Sequence, residues 1–135
     1  MNPMVRIPFT GTSMRPTIEP GATLLVEWFS RPGDMRSMQP GSIVLFRGDG
    51  ELVAHRVLSD YGRRGIKGDG SRVRDAPAGV VVGLVHAIES GDRVRRVYPV
   101  TIICRLNAWL SEFSLGDAWR GRLTRVAMKA LAKIS

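Results

Sequence analysis

A mainly β domain over residues 1–92, followed by a basic tail with two amphipathic helices over residues 93–135, is the architecture that this sequence predicts. Three observations carry the expectation. Up to about residue 90, short β-branched, aliphatic and aromatic runs are separated by Pro-Gly pairs and glycine-rich turns. Beyond Gly91 and Asp92 the apolar residues recur every three to four positions. The charge changes at the same place. Residues 1–92 hold ten Arg and one Lys against ten acids, whereas residues 93–135 hold seven Arg and two Lys against two acids, so nearly all of the net charge of +8 belongs to the tail.

Taken in order, Thr23 to Phe29 reads as a strand set between Pro20-Gly21 and a turn at Pro32-Gly33. Pro40-Gly41 opens a second strand, Ser42 to Phe46, and Gly48-Asp49-Gly50 turns it into a returning strand, Leu52 to Leu58. Gly65 to Lys67 is short and extended. Val80 to Ile88 is a long valine-rich strand, with Gly83 marking a bulge or a close approach of backbone. Arg93, Arg95 and Arg96 form a basic linker. Ile102, Ile103, Leu106, Leu110 and Phe113 then keep helical spacing up to Gly116, and Asp117 caps a second helix. There Trp119, Leu123, Val126, Ala127, Ala130, Leu131 and Ile134 share one face, with five basic side chains on the remainder.

The 135 residues allow one domain with a real core. One thiol, Cys104, makes no internal disulfide, and its place on the first tail helix marks it as inert. His55, His86 and Cys104 lie far apart without ligand spacing, so no metal or other cofactor is expected. Val97 to Leu110, the best apolar stretch, is broken by Pro99, Arg105 and Asn107 and falls short of the roughly 18 residues that a bilayer span demands. Met1 to Phe9 is too short for the apolar region of a secretory signal. A cytoplasmic or peripherally membrane-associated location is therefore expected. The near-neutral main domain argues against nucleic acid as a partner, since such proteins place their charge on the reading face.

Gly11-Thr12-Ser13-Met14-Arg15-Pro16-Thr17, then Pro20-Gly21 and a strand, Pro40-Gly41-Ser42-Ile43-Val44, His55-Arg56-Val57, and Lys67-Gly68-Asp69-Gly70-Ser71 with Asp75 form an ordered series over residues 8–88. That series resembles the S24/S26 superfamily of serine peptidases. Bacterial signal peptidases and LexA-like self-cleaving repressors carry a lysine where this chain has His55. The histidine resembles instead the endoplasmic-reticulum, archaeal and sporulation-type branch of signal peptidase I. The resemblance implies an S24/S26-like β-domain and a serine endopeptidase acting on a precursor protein or leader peptide, with Ser13 as nucleophile and His55 as general base. Asp75 or Asp69 would orient the base. The pattern departs from the family at Gly11, where a serine is usual, and at Ala22 and Ser42, where acids are usual.

The chemistry of the residues agrees with those roles. A serine hydroxyl needs a neighbouring base, and an imidazole with an unperturbed pKa of about 6.5 is mostly neutral at pH 7 and able to accept its proton. A carboxylate on the other ring nitrogen would fix the tautomer. Gly11 and Thr12 flank the nucleophile where a substrate backbone would approach, and Met14 beside it would line the groove.

Plainer readings stand beside these. Ser13 before Met-Arg-Pro also fits a helix cap, His55 a packed strand histidine, and Asp69 in Gly-Asp-Gly an ordinary turn acid. Arg56 is expected in a structural ion pair and His86 to be a strand residue without a role. The alternative functions are a catalytically idle β-module that binds peptides or surfaces and a LexA-like self-cleaving peptidase relative. For the tail, residues 117–135 fit either a helix lying in a membrane interface or one whose apolar face packs on the β-domain.

Overall fold

Two Pro-Gly turns set the frame. In the computed structural model, which describes residues 2–33, 38–48, 51–58, 66–67, 80–113 and 118–134, Gly21 and Gly41 hold φ angles of +94° and +92°. The third position of a type II turn requires such a value, and glycine adopts it without strain. Each turn is closed by a hydrogen bond, from Ala22 N to Glu19 O (3.2 Å) and from Ser42 N to Gln39 O (3.1 Å). Each then launches a strand.

The strands are β1 (Met4–Pro8), β2 (Thr23–Gly33), β3 (Ile43–Gly48), β4 (Glu51–Val57), β5 (Ile66–Lys67), β6 (Val80–Ser90) and β7 (Arg93–Arg96). They form one antiparallel sheet in the order β1-β2-β6-β3-β4-β5, with β7 paired to the end of β6. The expected hairpin is β3-β4, whose register runs from Ile43↔Arg56 to Gly48↔Glu51. Gly83 is a point of close approach: a Cβ there would lie 2.6 Å from Val26 Cγ1 and 3.0 Å from the Glu27 carbonyl. The pairing of β6 with both neighbours shifts register nearby, between Leu25 and Val26 on one side and between Leu45 and Phe46 on the other.

Side chains alternate across this sheet and build two apolar clusters. Met14, Ile18, Leu24, Val26, Ile43, Leu45, Ala54 and Val85 belong to the larger one. Val44, Phe46, Val57, Val81 and Leu84 form the other, on the opposite face of the same strands.

Three sequence expectations change. β1 was not foreseen; it is an edge strand, half-buried at alternate positions. β2 runs on through Pro32 to Gly33, which pairs with Val81 after an irregularity, so no turn ends the strand at Pro32-Gly33. The basic stretch after Asp92 is strand β7 rather than a linker.

The helices are α1 (Ile102–Phe113) and α2 (Ala118–Ile134). Their spacing is as expected, and of the two orientations left open for α2 one is observed. α1 buries Cys104, Ala108 and Ser111, and α2 buries Gly121, Thr124 and Met128. Ile102, Leu106, Trp109, Trp119, Leu123 and Val126 face outward. The packing of α2's large apolar side chains on the β-domain is thus not observed. The fit is close near the start of α1: a Cβ on Gly41 would lie 2.9 Å from the Cys104 carbonyl carbon and oxygen. Cys104 itself is buried, its thiol 3.5 Å from the Val97 carbonyl.

Candidate active site

Between β1 and the Pro20-Gly21 turn the chain makes a tight turn over residues 13–17. Backbone hydrogen bonds from Arg15 N to Thr12 O (3.1 Å) and from Ile18 N to Met14 O (3.0 Å) close it. Met14 and Ile18 are fully buried in the larger cluster and act as its two anchors; burying side chains of this size is worth about 2 kcal/mol each. With its two neighbours of that spacing pulled inward, the turn leaves Ser13 half-buried and Gly11 and Thr12 exposed. Met14 is therefore a core residue. The expectation that it lines a substrate groove is corrected, because no part of its side chain reaches the surface.

The same turn is tied down from two strands. Arg56 of β4, almost fully buried, donates from Nη1 to the Gly41 carbonyl (3.0 Å) and from Nη2 to Thr17 Oγ1 (3.4 Å). Arg95 of β7 donates to the Thr17 carbonyl. Arg56 thus joins the Ser13 turn to the Pro-Gly turn that begins β3, a bracing role that the sequence does not disclose.

His55 is the residue before Arg56 and so points to the other face of β4, in register with Val44. It is 6% exposed, and its ring lies 5.5 Å from that of Phe46, tilted by 56°. Its Nε2 is 3.1 Å from Ser13 Oγ, across 42 residues of sequence. In the neutral tautomer with the proton on Nδ1, Nε2 accepts the Ser13 hydroxyl proton, which is the geometry a base needs to activate a nucleophile. Nδ1 is closed off from solvent. Asp69 and Asp75, the two candidates to orient this nitrogen, lie outside the described residues.

Sequence reasoning missed one polar group. His86 was expected to have no role, yet its Nε2 lies 2.9 Å from Glu27 Oε1 and its ring 4.5 Å from Tyr98. Asn2 Nδ2 donates to the second oxygen of Glu27 at 2.8 Å, and Ser30 N and Oγ donate to Asn2 Oδ1. The Asn2 amide first, and His86 second, hold the Glu27 carboxyl below its ordinary value of 4.5. This cluster links the N-terminus, β2 and β6, and nothing local in the sequence signals it.

Among the described residues no group of His, Cys, Asp or Glu could hold a metal ion, and no helix is long and apolar enough to cross a membrane. Comparison of the chain with models of known families, with curated proteins and with solved structures finds no match in any of the three.

Proposed function

We propose that this protein is a serine endopeptidase of the S24/S26 kind, closest in its motifs to signal peptidases with a histidine base, and that Ser13 and His55 are its catalytic pair. One observation supports the reading above the others: the two residues that the motifs single out, far apart in sequence, lie within hydrogen-bond distance. The serine is accessible and the histidine is not, the arrangement expected of a nucleophile presented to substrate and a base shielded beneath it. Ser13 Oγ attacks the scissile carbonyl carbon while its proton passes to His55 Nε2. The imidazolium then protonates the leaving amine, and a water, deprotonated by the same nitrogen, hydrolyses the acyl ester.

An extended peptide suits the surroundings. β1 is an edge strand that runs into the Ser13 turn, and β4 pairs with β5 only at Arg56 and Val57. Among the described residues both strands therefore offer backbone groups near the pair to a peptide lying alongside. The substrate is a precursor protein or leader peptide.

The reading is tested by hydrolysis of a fluorogenic peptide library. Ser13→Ala and His55→Ala each remove nearly all turnover, and the double variant is hardly worse than either, because the pair acts as a unit. Additive losses would contradict the pair. The rate rises with pH as the histidine loses its proton and levels once it is neutral, as a histidine base requires.

A further inference from the structure

Both helices turn several large apolar side chains outward. Ile102 is 75% exposed, Trp109 58%, Trp119 50%, Leu123 56% and Val126 68%. On α2 the exposed residues 119, 123 and 126 follow helical spacing on the side opposite the buried Gly121, Thr124 and Met128. On α1, Ile102, Leu106 and Trp109 stand opposite Cys104, Ala108 and Ser111 in the same way. Thr124 Oγ1 donates to the Leu110 carbonyl (3.1 Å) and fixes one helix on the other. The two outward faces are joined by rings: Trp109 stacks on Phe113 at 5.8 Å, and Phe113 meets the edge of Trp119 at 6.0 Å. The rings thus join the two exposed faces at the end where the helices meet.

Their border is cationic. Arg122, Arg125, Lys129 and Lys133, all exposed, run along α2 beside the apolar stripe. Arg122, Arg125, Val126 and Lys129 line one open groove. The Arg120 guanidinium sits 5.2 Å and 5.3 Å from the Phe113 and Trp119 rings. The only acids in residues 93–135 are Glu112 and Asp117.

We infer that the α1-α2 hairpin is a membrane-docking surface for an anionic lipid bilayer. Ile102, Leu106, Trp109, Trp119, Leu123 and Val126 enter the interface, and the α2 cations engage lipid phosphates. Charge selects this occupant. A second copy of the chain would bring one cationic border against another, whereas an anionic leaflet neutralises it. A nucleic-acid backbone would use the cations but leave the aliphatic and indole side chains in water. Indoles joined to a cationic border are the composition of a helix lying in the headgroup region. The inference does not depend on the catalytic reading, since neither Ser13 nor His55 takes part.

The test uses the full chain with vesicles of phosphatidylcholine alone and of phosphatidylcholine mixed with phosphatidylglycerol, read by co-sedimentation and by tryptophan emission. Binding to the anionic vesicles, with a blue shift from Trp109 and Trp119 and release by salt, is expected. Arg122→Gln, Arg125→Gln and Lys129→Gln combined weaken partitioning by about two orders of magnitude, at roughly fivefold per basic side chain. Leu123→Ser with Val126→Ser weakens it by about two orders of magnitude. These side chains are exposed, so circular dichroism and Ser13 reactivity stay unchanged in both variants. Failure to bind anionic vesicles overturns the proposal, as does equal binding by either variant. Concentration-dependent self-association that Leu123→Ser with Val126→Ser abolishes, without vesicle binding, overturns it in favour of a second copy.

Discussion

Gly21 and Gly41 provide a matched pair for measuring how firmly the helical tail sits on the sheet. Both occupy the same place in a type II turn, with φ angles of +94° and +92°. Alanine at either position meets the same backbone strain, about 1 to 2 kcal/mol, partly offset by the lower entropy of the unfolded alanine chain. They differ in surroundings. A Cβ on Gly21 meets nothing within 4 Å, whereas one on Gly41 falls 2.9 Å from the Cys104 carbonyl carbon and oxygen and 3.2 Å from Arg105 N. Those atoms are backbone and cannot swing aside as a side chain would, so α1 itself must move. Overpacking of this kind costs about 1 to 3 kcal/mol. Gly21→Ala is therefore expected to destabilise by about 1 kcal/mol and Gly41→Ala by about 2 to 4 kcal/mol. Urea denaturation of the three proteins, compared at equal slopes, gives the difference. Equal losses would refute the reasoning and mean that α1 does not rest on the Gly41 turn.

Two more outcomes follow from buried polar contacts. Arg56→Met leaves the Gly41 carbonyl without this donor and unties Thr17; a stability loss of about 1 to 3 kcal/mol is expected in urea, with a fall in peptidase rate that Arg56→Lys does not restore, because one ammonium cannot span both acceptors. Glu27 has a carboxyl lowered from 4.5 in the folded state, so its stabilisation is present above that value and is lost as pH falls through the folded-state value. Glu27→Gln should accordingly be less stable than wild type at pH 7, with the gap closing on acidification; a gap that stays constant to low pH in thermal melts would exclude a role for the charge.

Much of this architecture is legible in the sequence where local chemistry leaves no alternative. Pro20-Gly21 and Pro40-Gly41 predict turns because only glycine tolerates the angle, and Gly83 predicts close approach because any Cβ would strike Val26. Ser13 and His55 are legible as motif residues, although only the fold brings them to 3.1 Å. β1 is harder to see, since an edge strand of five residues flanked by prolines needs β2 to define it. The facing of α1 and α2 is left open by the sequence for a different reason. Helical spacing identifies an apolar stripe but not which way it faces, which depends on contacts distant in sequence such as Thr124 on Leu110 and Cys104 over Gly41. The contact between Glu27 and His86, 59 residues apart, leaves no local signal at all.

The central claim is that Ser13 is a nucleophile activated by His55, and its most direct test is labelling with a fluorophosphonate followed by mass mapping of the modified peptide. The account predicts one adduct per chain, on Ser13, formed by the folded protein, absent in Ser13→Ala and nearly absent in His55→Ala. No adduct on wild-type protein, an adduct on another residue, or equal labelling of His55→Ala would contradict it.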